Sequence, residues 1–393
     1  MQDASIRKKI GNIRLIEGKF YRDWKDLNFE NSMKIWFHAA SVGEIGALKP
    51  LIKRFMEEGF EPVITVYTRS GVRHAGEAFP GITVRKYPFL DNPFFVRKWI
   101  KSHHPVALII AETELWPFLI GTSKDMGLRV FIVNGRISDR TFRTYYSLRW
   151  FFSRILDKVD RIYAKSDKHR RRFILLGAGD VKFLGDLKVD SVMTPVKEIS
   201  RYELGFSSDD NILTFGSIRS REIPHVLDAV RRLKGLVKMV IAPRHLKNAK
   251  TLMEELKQAG FSVSLRSKLE GPSDIVILDT MGELRSIYRI SDMAFVGGTL
   301  ENYGGHNVLE PLFFSIPTMV GKFHWNVKEQ VDYFKRRKAI FIVEDSQELV
   351  ETVRFILKNP TIRRYINEIS RKYFSTYGNA SGRIYRDILN YIE

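Results

Sequence analysis

Short apolar runs alternate with amphipathic stretches from one end of this chain to the other, and that alternation leaves few folds open. The runs cover 34–38, 63–67, 82–87, 107–111, 130–134 and 161–164, then 212–215, 238–241, 262–265, 275–278, 293–296 and 318–320. They read as buried strands. Between them apolar residues recur at helical spacing, as in Ile45, Leu48, Ile52 and Phe55, where Pro50 is expected to interrupt the helix. Strands separated by helices pair in parallel under helices on both faces, so the fold class is α/β with two doubly wound sheets. A length of 393 residues also exceeds one ordinary core. The weakest stretch is Asp190–Asp210, with Pro195, Ser207 and Ser208. Two domains are therefore expected, 1–195 and 196–393, with the option that the final helix packs back on the first.

Lys and Arg number 64 against 45 Asp and Glu, a net charge of +19, which favours anionic partners: phosphorylated small molecules, an anionic membrane face or nucleic acid. There is no cysteine, hence no disulfide framework and no thiolate metal site. No run reaches the ~18–20 apolar residues that span a bilayer. The first 33 residues mix Arg7, Lys8, Lys9, Arg14, Lys19, Arg22 and Lys25 with Ile10, Ile13, Leu15, Phe20, Tyr21 and Trp24. Such a mixture suits either a membrane surface or a terminal helix packed on its own domain.

Ligands of doubly wound sheets sit beyond the carboxyl ends of the strands, so the residues just after each run are the candidates. The richest is Gly297–Pro311, where glycines at 297, 298, 304 and 305 let backbone approach a ligand and a helix start offers free N–H groups. Glu310, one turn in, suits ribose hydroxyls. In the same half, Phe215-Gly216-Ser217 is a possible phosphate turn, Arg244 is placed for bidentate phosphate binding, and Thr280–Leu284 opens another helix. In the first half, Glu44 is placed as a general base for a hydroxyl acceptor, or as a residue that merely suits the helix dipole. Glu112 and Glu114 are expected on opposite sides of an extended segment. Arg136 is a possible anion contact, and Lys188 a cation able to neutralise a carboxylate or phosphate. His245, His306 and His324 lack metal-ligand spacing, and no Asp-x-Asp motif suggests a cation beside a diphosphate.

His38–Glu44, Glu112–Pro117, Gly185–Lys188, Pro243–His245, Met281–Glu283 and Gly304–Glu310 occur in this order. Together they resemble the motifs of the 3-deoxy-D-manno-octulosonic acid (Kdo) transferases of lipopolysaccharide synthesis, over nearly the whole chain from about Met33. The resemblance implies a GT-B fold. It implies metal-independent transfer of Kdo from CMP-Kdo to a lipid A precursor (lipid IVA) at the cytoplasmic face of the inner membrane, with no cofactor. It makes Glu44 the general base and assigns transition-state stabilisation to Glu112 and Lys188. The CMP contacts it implies are Pro243 and Arg244, then Met281, Gly282 and Glu283, then Asn307, Val308, Leu309 and Glu310. Many relatives begin with an apolar anchor that this chain lacks, which leaves either peripheral attachment to an anionic membrane through the basic surface or an anchor cut from a longer chain. Two rivals follow from the residues alone. Another GT-B nucleotide-sugar transferase or a sugar epimerase would share the glycine cradle. A nucleic-acid binder would explain the charge, but acidic residues at strand ends count against it, and no nucleic-acid partner is expected.

Overall fold

The computed structural model describes residues 32–269 and 271–392. The basic and apolar segment read above from residues 7–25 lies outside them. The first sheet contains β1 (Lys34–Ala39), β2 (Glu61–Val66), β3 (Thr83–Lys86), β4 (Pro105–Ala111), β5 (Arg129–Gly135), β6 (Arg161–Ala164) and β7 (Val181–Phe183). The second contains β8 (Ile212–Ile218), β9 (Lys238–Pro243), β10 (Val263–Leu265), β11 (Ile275–Ile277), β12 (Met293–Val296), β13 (Thr318–Gly321) and β14 (Phe341–Val343). Their orders are β3-β2-β1-β4-β5-β6-β7 and β10-β11-β9-β8-β12-β13-β14, and every pairing is parallel. The chain reverses its direction of travel across the first sheet between β1 and β4, and across the second between β8 and β12. Those two crevices are where such sheets take ligands.

Central strands are buried on both faces, as in Ile35, Trp36 and Phe37 of β1 or Ile109 and Ile110 of β4, because helices cover both sides. Two strands absent from the apolar reading, β7 and β14, are three-residue edge strands only partly buried along most of their length. Pro50 does not break its helix, which runs unbroken from Val42 to Glu57. Ile45, Leu48, Ile52 and Phe55 on that helix are fully buried. At ~1.5–3 kcal/mol each their burial outweighs the ~3 kcal/mol that an interior proline costs.

The chain crosses between the two sheets after the helix Leu187–Met193, and crosses back at Gly378. The helix Ile362–Tyr377 packs beside the second sheet, where Phe374 meets Phe313 and Tyr373 meets Tyr333. The following helix, Ala380–Ile392, lies on the first: Tyr385 packs edge-on against Phe55, and Asp387 bonds Arg161, Tyr163 and Lys182. Gly185 (φ +115°) makes room for this crossing, since a Cβ there would stand 2.5 Å from the Tyr377 carbonyl. Asp190, almost fully buried, accepts from the N–H groups of Ala380 and Ser381 at 3.0 and 2.7 Å and so caps the returning helix. Replacing a capping carboxylate by alanine costs ~0.5–2 kcal/mol. Asp190→Ala is therefore expected to lower the urea midpoint by a stability loss of about 1–2 kcal/mol, and an unchanged midpoint would show that the cap carries no weight.

Candidate active site

Sequence fixes the first half of the site through a helix cap. Ser41 is the N-cap of the helix Val42–Glu57, its hydroxyl accepting from the Glu44 N–H, while the Glu44 carboxylate returns to Ala40 N at 2.6 Å and to Ser41 Oγ at 3.3 Å. This reciprocal pair places Glu44 at the carboxyl end of β1, at the crevice. Burial pushes its carboxyl up to about 7; the Ala40 bond opposes this, and the charges of Glu114 and Glu112 add to it. His38 beneath is fully buried, bonded through Nδ1 to Thr65 at 2.9 Å, and burial lowers its imidazole to about 3.

Glu112 and Glu114 follow β4 across the same crevice. Glu112 has φ +52°, so the segment turns instead of running extended. Both act on Glu44. Glu112 receives the Lys188 ammonium at 2.6 Å, and Glu114 accepts from Trp116 Nε1 at 2.7 Å. Lys188 is placed by the first turn of the helix Leu187–Met193, capped by Asp186 and fastened to β5 where Leu187 N meets Asn134 Oδ1. Arg136 is exposed, and its carbonyl accepts from Thr113.

On the second sheet, Pro243 is the buried last residue of β9 and Arg244 is exposed just beyond it. Gly282 has φ +85° in an exposed turn with Met281, while the Glu283 carboxylate is occupied by Arg266 at 3.2 Å and by Thr280. Asn307 bonds Leu309 N at 3.1 Å and Glu310 at 3.3 Å. Burial raises the Glu310 carboxyl, with Arg285, Asn307 and Arg244 opposing. Val308 and Leu309 are core side chains, so only their main chain can reach a ligand. The helix they open has only five residues, Leu309–Phe313, and hence a small dipole.

Three residues at this crevice escape sequence reasoning. Glu222 is fully buried, and its carboxylate accepts from four backbone N–H groups: Arg219 at 3.0 Å, Gly298 at 2.6 Å, Thr299 at 2.9 Å and Leu300 at 3.0 Å. It holds the glycine loop open. His306 and Arg219 bond each other over that loop at 3.2 Å. The only signal for them was their place just after β8 or within the glycine run.

Residues beyond β6 meet residues beyond β13: the Glu329 carboxylate bonds Lys165 at 2.7 Å and His169 at 3.1 Å. The carboxyl ends of the two sheets thus face one another, and a cavity of about 320 Å³ lies between them, lined by Lys165, Asp186, Tyr333 and Tyr373 among others. Among the described residues no group of three or more His, Asp or Glu is arranged to hold a metal ion, and no helix is long and apolar enough to cross a membrane.

Residues 12–191 match the family model for 3-deoxy-D-manno-octulosonic-acid transferase (kdotransferase). A bifunctional glycosyltransferase/methyltransferase of Fusobacterium nucleatum is 34% identical over 87% of this chain, which spans only 55% of that protein's length. A 3-deoxy-D-manno-octulosonic acid transferase of Chlamydophila psittaci is 30% identical, over 84% of this chain and 78% of its own. In three dimensions the chain is similar to the UDP-GlcNAc 2-epimerase of Neisseria meningitidis, with a TM-score of 0.64 at 11% identity, covering 91% of this chain and 100% of that one. That likeness speaks for the fold alone, the GT-B pairing of two doubly wound domains. On sequence and architecture together, the chain belongs to the 3-deoxy-D-manno-octulosonic acid transferase family.

Proposed function

We propose that this protein transfers Kdo from CMP-Kdo to a lipid A precursor, lipid IVA, with inversion and with Glu44 as general base. The observation that carries the reading is the Glu44 carboxyl, placed at the crevice of one sheet and tuned by burial to about 7, where proton transfer at physiological pH is most effective. The deprotonated carboxylate takes the proton of an acceptor hydroxyl as its oxygen attacks the anomeric carbon. The bond from that carbon to the phosphate oxygen breaks, its electron pair leaves with CMP, and positive charge spreads over the sugar ring. Arg244 and the glycine loop receive the phosphate, with Pro243, Met281, Gly282, Glu283, Asn307, Val308, Leu309 and Glu310 around the nucleotide. The Lys188–Glu112 pair at 2.6 Å fixes charge beside the reacting centre. The reaction needs neither metal nor cofactor.

A lipid acceptor is supported by the surface next to Glu114. Phe89, Phe94, Phe118, Tyr146 and Trp150 are each more than half exposed. Tyr67 joins Phe89 to Trp116, the partner of Glu114. The helix Asp139–Ser147 buries no residue and carries exposed Arg140 and Arg143. Aromatic side chains interleaved with arginine suit a phosphorylated lipid at an anionic membrane face. In this proposal the surface lies against the cytoplasmic side of the inner membrane, and the exposed aromatics and arginines support a membrane-facing role.

Incubation with CMP-Kdo and tetraacyl lipid A precursor should add Kdo masses to the lipid by mass spectrometry; an unchanged lipid mass would refute the reaction. Glu44→Gln should slow turnover at least ~100-fold while CMP still binds, and near-normal rates would reject the base. The base works deprotonated, so kcat/KM should fall below pH 7, roughly tenfold lower at pH 6 than on the plateau. A flat profile to pH 5 would contradict the assignment. Arg244→Ala should weaken CMP binding by ~1.5–3 kcal/mol in calorimetry, the range for a charged hydrogen bond.

A further inference from the structure

We propose that Arg219 reads the carboxylate of the donor sugar and so selects an ulosonic acid over a neutral one. This rests on the donor reading above. Arg219 follows β8 directly, at the point where the second sheet reverses its order, the place where such sheets hold ligands. Arg244 follows β9 beside it: Ile218 is in register with Pro243, and Arg244 N bonds Ile218 O at 2.8 Å. Two guanidinium groups therefore leave neighbouring strands at one level.

Neither has a carboxylate partner among the described residues. The Arg219 guanidinium donates through Nε to His306 Nε2 at 3.2 Å, sits 3.4 Å from His245 Nε2, and lies over the Tyr303 ring at 5.2 Å. Other partly buried arginines are paired with acids, as Arg161 is with Asp180 and Asp387 and Arg201 with Asp292, although Arg285 is held by Thr194 and backbone carbonyls. A half-buried cation held only by ring side chains lacks the carboxylate counter-charge that burial normally demands. Its main chain is equally fixed, because Arg219 N shares the Glu222 carboxylate with the glycine loop. The cation is thus oriented in advance, with Nη2 uncommitted. A planar fork of this kind matches a carboxylate.

The proposed donor carries two anionic groups, a phosphodiester and an acid on the anomeric carbon. The site offers two unpaired arginines. Arg244, beside Glu310 and the nucleotide residues, suits the phosphate; Arg219, over the glycine loop, is left for the acid. Holding that acid fixes the rotation of the reacting carbon and hence the face open to attack.

Arg219→Gln and Arg219→Lys, checked for folding by circular dichroism, test the assignment in two measurements. Calorimetry with CMP, which lacks the acid, should give a dissociation constant within about threefold of the unsubstituted protein, while the KM for CMP-Kdo rises about tenfold or more in the Gln variant and less in the Lys variant. A donor whose acid is converted to the carboxamide should lose affinity for the unsubstituted protein but lose no more for Arg219→Gln. Equal losses for CMP and CMP-Kdo would make Arg219 a nucleotide contact, and an unchanged KM would remove it from the donor; either overturns the proposal. If the Gln variant does not fold, the Lys variant decides on the same readings. Failure of the unsubstituted protein to bind CMP would instead overturn the donor reading, and this one with it.

Discussion

Parallel pairing of all fourteen strands is the constraint on which this molecule rests. Parallel strands end on the same side, so each helix must return the chain to the opposite edge and every loop after a strand opens onto one face. Two such sheets set with these faces opposed gather residues that are hundreds of positions apart in the chain. Lys165 and His169 meet Glu329 in this way. The returning C-terminal helix ties the arrangement together through Asp387 and Asp190, both of which bond across the length of the chain.

Charge is divided between the two ends of the strands. At the amino ends acids are paired and hold the sheets: Asp160 before β6 takes Lys124 and Arg129, Asp274 before β11 takes Lys238, and Asp292 before β12 takes Arg201. These partly buried pairs neutralise one another and leave no charge seeking a ligand. At the carboxyl ends the acids crowd, so Glu44, Glu114 and Glu310 are all pushed upward by burial, while Arg219 and Arg244 stay without acids. Clustering of perturbed groups on one face marks where function lies.

Periodicity made the repeating unit legible because central strands are apolar on both faces. It missed β7, where Lys182 interrupts the apolar run, and passed over β14 although residues 339–343 are all apolar. It overweighted Pro50, a local cost that four buried side chains outweigh. Glu44, Glu112 and Arg244 were singled out because each lies within five residues of a strand end, whereas Lys188 follows the unread β7 and was singled out as a cation just before the expected domain boundary. Glu222 was not, because what makes it matter is the register of β8 against β12, which brings Gly298, Thr299 and Leu300 to its carboxylate. At Glu112 and Glu114 one carboxylate does pair with a basic neighbour, Lys188, but the backbone is not the extended segment expected. Alternation presumes extended backbone, and Glu112 is left-handed.

In the proposed mechanism Glu44 is at once a helix cap and the base. A capping carboxylate is ordinarily stabilised as the anion, and the 2.6 Å bond from Ala40 N acts in that sense. Had that bond dominated, the group would be ionised throughout the physiological range and too weak a base to matter. Burial is the larger effect and brings the group to about 7. The two oxygens then divide the work. Oε2 keeps the short bond to Ala40 and fixes the carboxyl plane, while Oε1, held only by Ser41 Oγ at 3.3 Å, remains open to take a proton from an acceptor hydroxyl. A residue that only capped the helix would gain nothing from the neighbouring charges of Glu112 and Glu114, which raise its proton affinity. A base that must accept a proton near neutral pH gains from both.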